Sequence, residues 1–437
     1  MQDSTLRAAT AGMPVLSMRL TVGGTEQSRV FSGERISVGG AQGNDLIVTH
    51  PTVSRFHLTL ERDAVLVTLT DLGSTNGTRI GPVMVRDSTV SFSLPATLKL
   101  GDVTLSVEDG DVVMQSLFDD DTLGALRGKA PVMRRLMADI RKLAASDVSV
   151  LLIGESGTGK ELIARAIHDE SPRAKAPFVV VDCAAIPPTV FAAELFGHER
   201  GAFTGADKRR AGALERANGG TVLLDELGEL PPSLQASLLG ALERRRFTRI
   251  GGSEEVPVDV RIVSATNRDL RRDVNSGTFR LDLFYRLGVV VLEVPPLRRR
   301  TEDVPMLIEH FIREVGGSEQ ASDLFNDEVM RELEAYSWPG NVRELRNLVA
   351  AALAMGRKPT VDASAAPSVE AGPTEDIIES VLSRPYRDAR SELLEGFEKR
   401  YLQALLDRSE GNVRKAARVG QMNRSYLIEL LKRHQIR

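Results

Sequence analysis

Gly154-Glu155-Ser156-Gly157-Thr158-Gly159-Lys160-Glu161 sets three glycines and a lysine at a spacing that suits phosphate. The glycines let backbone N–H groups crowd an anion, and a helix starting at this point adds its positive dipole end. Lys160 is then placed to reach the β- and γ-phosphates of a nucleoside triphosphate. Glu161 departs from the Ser or Thr that commonly ligates Mg²⁺ in such loops. A second constellation is Asp225-Glu226, directly after the apolar run Val222-Leu223-Leu224. There, Asp225 would hold Mg²⁺ directly or through water, and Glu226 would polarise the attacking water. Thr266-Asn267 follows a further apolar run, where Asn267 would meet the γ-phosphate, although a strand-end Asn is also a common turn residue.

These groups need rigid elements behind them. Val150 to Ile153 is a short, β-branched apolar run that reads as a buried strand, and Leu162 to His168 reads as a helix. Phe178-Val181, Gly220-Leu224, Val258-Val263 and Val289-Leu292 are further strand-like runs with helical stretches between them. Such alternation predicts a parallel sheet covered by helices on both faces, with ligands at the carboxyl ends of its strands. The expected α/β part spans residues 128–297, with a helical lid over 298–356.

Ahead of it, residues 15–112 alternate with period two, as in Leu16 to Leu20, Ala64 to Leu69 and Thr97 to Leu100. Turn pairs such as Gly43-Asn44 and Asn76-Gly77 separate the runs, and no helix is convincing, so an all-β sandwich is expected. Two polar loops, Thr52 to His57 and Gly73 to Thr78, carry groups suited to a phosphate. Residues 1–14 read as a disordered start, and 113–127, with Asp119 to Asp121, as a solvated linker. Residues 357–390 include an Ala/Ser/Pro-rich linker.

Composition agrees with a multidomain globular chain. Its 437 residues are too many for one core, and 42% hydrophobic with 27% charged residues fits a soluble protein. A net charge of −4 means that any nucleic-acid surface is local. One cysteine, Cys183, forbids an internal disulfide and fits a reducing compartment. No apolar run approaches a membrane span and the start lacks a signal-peptide core, so a cytoplasmic protein is expected; the histidine spacing gives no structural metal site.

The loops around Ser54, Arg55 and Asn76 resemble the forkhead-associated (FHA) domain. The resemblance implies a phosphothreonine-peptide reader, with Ser54 and Arg55 near the phosphate, Asn76 on the peptide backbone and His57 bracing the loop. The family usually has Gly-Arg in the early loop, whereas this chain has Gly39-Gly40. Losing that charge-assisted contact costs on the order of 1.5–3 kcal/mol. The other reading of the sandwich is a phospho-independent docking or autoinhibitory module.

Between two helical stretches lies Gly201-Ala202-Phe203-Thr204-Gly205-Ala206, a Gly-flanked loop with a lone Phe at its tip. It resembles the signature of bacterial enhancer-binding proteins, AAA+ ATPases that remodel the sigma-54 RNA polymerase holoenzyme. The resemblance runs from about Arg127 to Met355, and Glu161 is the usual residue there. It implies ATP and Mg²⁺ as ligands and sigma-54 contact through Phe203 and Thr204. Arg280 and Arg286 match arginine fingers acting in trans within a ring, usually a hexamer; Asn267 matches sensor I and Arg343 sensor II. Two positions depart: Asp182 replaces an Asn that restrains the catalytic Glu, and Leu281 replaces an acidic residue.

Residues 391–437 read as helical. From Gly411 onward there are seven Lys or Arg against one Glu, on two short helices split by Gly420. The segment resembles the Fis-like helix-turn-helix of the same family, which implies binding to enhancer DNA. Arg414 and Lys415 are candidate phosphate partners, and Arg424, Ser425 and Lys432 candidate DNA contacts. The expectation is a sigma-54-dependent activator that assembles from dimer to ring, with input from a Ser/Thr kinase through the FHA-like domain. The rivals are a DNA-binding regulator using the ATPase fold as an oligomerisation scaffold, and a remodeller of another client.

Overall fold

The computed structural model describes residues 12–23, 28–31, 35–62, 65–315, 324–359, 361 and 431. The chain divides into two compact units, Met1–Val361 and Asp362–Arg437, and all described residues except Leu431 belong to the first.

Among the described residues, the amino-terminal part is a sandwich of eleven strands. They are β1 (Gly12–Val22), β2 (Ser28–Phe31), β3 (Arg35–Gly39), β4 (Leu46–Ile47), β5 (Leu58–Arg62) and β6 (Val67–Asp71). β7 (Thr78–Ile80), β8 (Val83–Val85), β9 (Thr89–Phe92), β10 (Ala96–Leu100) and β11 (Val103–Ser116) complete it. One sheet runs β2-β1-β11-β10-β7-β8 and the other β4-β3-β5-β6-β9. Alternation decides which residues face inward: Val67, Leu69 and Asp71 of β6 are buried, while Thr68 and Thr70 between them are half-exposed. Met18, Leu20, Ile36, Val38, Leu58, Leu60, Leu98 and Leu105 fill the space between the sheets.

The sandwich overruns its expected limits at both ends. Gly12 pairs with Ser116 in the β1–β11 ladder, so residues 12–14 and 113–116 are strand; residues 1–11 lie outside the described ones. The rest of the expected linker is also built into the structure. Phe118 exchanges hydrogen bonds with Arg134 on the next helix, and β12 (Thr122–Leu123) pairs with β13 (Leu126–Arg127) around Gly124. Asp119 to Asp121 are exposed, as expected.

The α/β part begins with α1 (Pro131–Ala144), whose Pro at the first turn costs no hydrogen bond. Its buried Met133, Leu136, Met137, Ile140 and Ala144 recur at helical spacing. Then come β14 (Val150–Ile153), α2 (Lys160–Asp169), β15 (Phe178–Asp182), α3 (Pro188–Phe196), β16 (Gly197–His198), β17 (Arg210–Ala211), α4 (Ala213–Arg216) and β18 (Thr221–Asp225). After them lie α5 (Pro232–Arg244), β19 (Arg246–Thr248), β20 (Glu255–Pro257), β21 (Arg261–Thr266), α6 (Leu270–Ser276), α7 (Leu281–Leu287) and β22 (Val290–Glu293). The central sheet is entirely parallel in the order β15-β18-β21-β14-β22. Burial on both faces explains the continuous apolar runs of β14 and β18, and all six residues of β21 are buried, whereas Val180 of the edge strand β15 is exposed. Cys183, just past β15, is buried and donates its backbone N–H to the carbonyl of Asp225. Burial pushes its thiol up to about 12.

α8 (Val304–Glu314), α9 (Asp327–Ala335) and α10 (Asn341–Met355) form the lid, and Gly356 in the left-handed region ends α10. Their core holds Trp338, Leu333, Leu345, Val349, Val304 and Ile308. Trp338 is fully buried, and its indole N–H donates to the Leu333 carbonyl at 2.8 Å. Among the described residues no helix is long and apolar enough to cross a membrane.

Candidate nucleotide site

The chain turns sharply after β14 because three glycines allow it. Gly157 and Gly159 adopt φ of +78° and +101°, a region that suits residues without a Cβ. Gly159 is also the N-cap of α2, so the helix dipole points into the loop. Lys160 is nearly buried, and its ammonium donates to the carbonyls of Gly154 and Glu155 at 2.9 and 3.2 Å. Burial lowers its pKa, while the neighbouring Glu226 and Asp225 carboxylates pull it back up.

Those carboxylates arrive on the next strand but one, in the parallel register that the sheet dictates. Asp225 ends β18, and its Oδ1 accepts the N–H of Glu226 at 3.0 Å. Glu226 takes a left-handed φ of +48°, unusual for a non-glycine residue and located where chemistry is expected. Its Oε1 lies 3.9 Å from the Lys160 ammonium, and its Oε2 accepts from the Asn267 N–H at 3.4 Å. Asp182, at the end of β15, points elsewhere: its carboxylate accepts from the N–H groups of Ala184 and Ala185.

The lid closes over the loop through a clamp. Arg298 grips the Glu155 carboxylate with two hydrogen bonds, and the Asn341 amide donates to the same carboxylate at 3.1 Å. These partners hold the Glu155 carboxyl below its usual pKa, the Arg298 hydrogen bonds first. Arg343, two residues into α10, donates to the Ser156 hydroxyl at 2.9 Å. Arg300 is buried, with its pKa lowered by burial to about 10, and donates to the Thr158 carbonyl. Loop and lid line a cavity of about 440 Å³, whose apolar lining includes Leu126, Ile163, Leu307 and Phe311. Its charged lining includes Lys160, Asp225, Glu226, Arg300, Arg343 and Arg346. That mixture suits a ligand with a flat apolar base and a charged tail, and the Asp225 carboxylate suits Mg²⁺ on the phosphates.

Of the predicted residues, Gly154 to Glu161, Asp225, Glu226, Asn267 and Arg343 come together here. Arg280 and Arg286 do not. Arg280 caps α7 and pairs with Asp282 at 2.7 Å; Arg286 donates to the Leu242 carbonyl at 3.0 Å. Sequence reasoning missed Leu126, Leu307 and Phe311 in the apolar lining, and Arg298, Arg300 and Asn341 in the clamp. The run Leu297-Arg298-Arg299-Arg300 after two prolines was the available signal for the arginines.

Gly201 to Ala206 forms a loop between β16 and β17, closed by a hydrogen bond from the Gly201 N–H to the Ala206 carbonyl. Gly201 and Gly205 have positive φ, and Phe203 is 43% exposed with its ring edge-on to His198. Thr204 is exposed beside it.

In the sandwich, Ser54 and Asn76 sit on adjoining loops. The Ser54 hydroxyl accepts from the Thr75 N–H at 3.0 Å, and the Asn76 amide donates to the Thr52 carbonyl. Arg55 is exposed next to them. His57 is buried and braces the loop, accepting the Ser54 N–H at Nδ1 and donating from Nε2 to the Gly77 carbonyl at 3.2 Å. The five candidate DNA contacts, Arg414, Lys415, Arg424, Ser425 and Lys432, lie outside the described residues, as does the expected helix-turn-helix apart from Leu431.

Comparison with known proteins matches three families: the FHA domain over residues 36–103, the sigma-54 interaction domain over 126–293 and the AAA+ ATPase lid domain over 298–376. The regulatory protein AtoC of Escherichia coli is 46% identical over 310 residues, covering 70% of this chain and 67% of that protein. The Nif-specific regulatory protein of Azotobacter vinelandii is 50% identical over 234 residues, 54% of this chain and 45% of its own. The crystal structure of NtrX from Brucella abortus in complex with ATP is 39% identical with a TM-score of 0.50, covering 72% of this chain and 70% of that one.

Proposed function

Because the chain belongs to the family of transcriptional regulators built on a sigma-54 interaction domain, we propose that it hydrolyses ATP to remodel the sigma-54 RNA polymerase holoenzyme. The observation that carries this reading is the Lys160–Glu226–Asn267 cluster, whose Lys160 and Glu226 line one cavity with Asp225 and Arg343. The loop amides and Lys160 bind the β- and γ-phosphates. Mg²⁺, held through Asp225, supplies charge neutralisation on the phosphates. Glu226 orients and deprotonates the attacking water, with Asn267 fixing its carboxylate.

Arg280 and Arg286 stand outside the cavity of their own subunit. A neighbouring subunit supplies them, so turnover requires a ring. Movement of the Gly201–Ala206 loop then transmits the nucleotide state to sigma-54 through Phe203 and Thr204. The carboxyl-terminal residues hold enhancer DNA, and the sandwich reads a phosphothreonine peptide through Ser54, Arg55 and Asn76.

The test measures ATPase rate against protein concentration and, separately, promoter opening with sigma-54 holoenzyme. Turnover per chain should rise steeply with concentration. Glu226→Gln should keep ATP binding and lose turnover about 10²- to 10⁴-fold. Thr204→Ala should keep the ATPase and lose promoter opening. Promoter opening that survives Thr204→Ala, or that needs no sigma-54, would overturn the reading.

A further inference from the structure

The sandwich meets the ATPase by its loop end. Phe56, between Arg55 and His57, is fully buried, and it belongs to the same core as Leu283 and Phe284 of α7. Its ring stands edge-on to Phe284 at 5.1 Å, and the Arg271 guanidinium lies 6.0 Å from its centre. Leu72 enters the same core from the adjoining loop. Asn275 of α6 reads both loops, donating to the carbonyls of Phe56 at 2.6 Å and Leu72 at 3.0 Å. Ion pairs ring this plug: Arg272 with Asp87 at 2.8 Å, Arg299 with Glu61 at 2.8 Å, and Arg35 with Glu293 at 2.9 Å. Gly43, in the early loop, sits against the Tyr285 ring; a Cβ there would be 3.3 Å from it.

Two facts make this contact more than packing. The loop whose Ser54 and Arg55 face outward is the loop whose Phe56 is driven into the ATPase. The helix receiving it, α7, carries Arg286 and is capped by Arg280, and Phe284 and Tyr285 lie between them. A sandwich working alone has no use for an apolar group at this position.

We propose that the loop end of the sandwich is a latch on the arginine-bearing helix, and that a phosphothreonine peptide is the competitor that releases it. This rests on the reading of Ser54, Arg55 and Asn76 as the peptide site. A peptide lying across those residues would pass the early loop, which the Tyr285 ring abuts at Gly43 in the latched state. Arg55 is already close enough to Tyr285 to counter part of the rise that burial imposes on its phenol. Occupying the loop therefore works against seating Phe56. Release bares α6 and α7 to a neighbouring subunit, so peptide binding and ring assembly rise together.

The test uses the full chain with Asn275→Ala, which removes the hydrogen bonds that α6 makes to the two loops while replacing no residue of the nucleotide cavity or of the Ser54, Arg55 and Asn76 set. The probe is a degenerate phosphothreonine peptide pool beside its unphosphorylated twin. Asn275→Ala should reach half-maximal ATPase at about tenfold lower protein concentration than the parent, with the same plateau, and bind the phosphorylated pool about tenfold more tightly. Arg272→Asp should behave alike, and adding Asp87→Arg should restore parental behaviour. Ser54→Ala should abolish the peptide response. Parental concentration dependence in both Asn275→Ala and Arg272→Asp would overturn the latch, whatever the peptide does. Equal peptide affinity in parent and Asn275→Ala would overturn the competition. Absence of any phosphorylation-dependent binding, with the ATPase shift intact, would remove the peptide reading and leave the latch.

Discussion

Asn341 should be among the most costly polar residues of the lid to replace, and two substitutions separate the reasons. It is fully buried at the first position of α10, with φ of +53°. Its Oδ1 accepts the Leu297 N–H at 2.8 Å, and its Nδ2 donates to Glu155 Oε2 and the Ser156 carbonyl, both at 3.1 Å. Ala leaves the buried Leu297 N–H without its acceptor, a cost of about 1–3 kcal/mol. It also puts a residue with a Cβ and no local hydrogen bond in the left-handed region, adding about 1–2 kcal/mol. The Glu155 pair is half-exposed and adds little. Asn341→Ala should therefore lose about 2–5 kcal/mol, and Asn341→Gly, which escapes the backbone penalty, about 1 kcal/mol less. Trp338 is the only tryptophan and lies in the lid core, so its fluorescence during urea unfolding follows this part of the chain. A loss below about 1 kcal/mol for Asn341→Ala would refute the hydrogen-bond argument. A Gly variant no more stable than the Ala variant would refute the backbone argument.

Two further predictions concern the same machinery and the stability of the whole. Gly157→Ala would place a Cβ 2.3 Å from the Gly340 carbonyl oxygen, at φ of +78°, forcing lid and loop apart. ATP affinity should fall at least about tenfold by calorimetry, with the fold intact by circular dichroism; unchanged affinity would show that the lid yields freely. Burial lowers the pKa of both His57 and His168, so the folded chain keeps them neutral while the unfolded chain takes up protons near pH 6.5. Their contribution is fully present above that value and is lost as pH falls from there toward the folded pKa values. Melting temperature should accordingly drop between pH 7.5 and 5.5, and a flat profile over that window would contradict the assignment.

What the sequence revealed follows from where the constraints lie. Val150 to Lys160 was legible because the strand, turn and helix are contiguous, and each residue type is forced by its neighbours. Asp225 and Glu226 were legible because the apolar run before them fixes where a parallel strand ends. The clamp was not, since Glu155 meets Arg298 and Asn341 only after 143 and 186 residues of intervening chain have folded. Period-two alternation located the sandwich but stopped short of its ends, because Val112 and Met114 are exposed on paired strands and no core marks them. Strand β21 starts at Arg261 rather than Val258, as its apolar run continues through residues buried by packing outside the sheet. Phe56 gave no periodic signal at all: it sits among polar loop residues, and its burial depends on another part of the chain.

The position of Cys183 makes this protein convenient for site-specific labelling. It is the only thiol in the chain, it is covered, and at neutral pH its reactive thiolate is hardly populated. Maleimide dyes should leave the native chain unmarked. A single Lys208→Cys substitution, on the exposed segment just beyond Ala206, would then carry the sole fluorophore, with no background to remove. Its emission with and without ATP would report on the surroundings of that loop, in a protein otherwise unaltered.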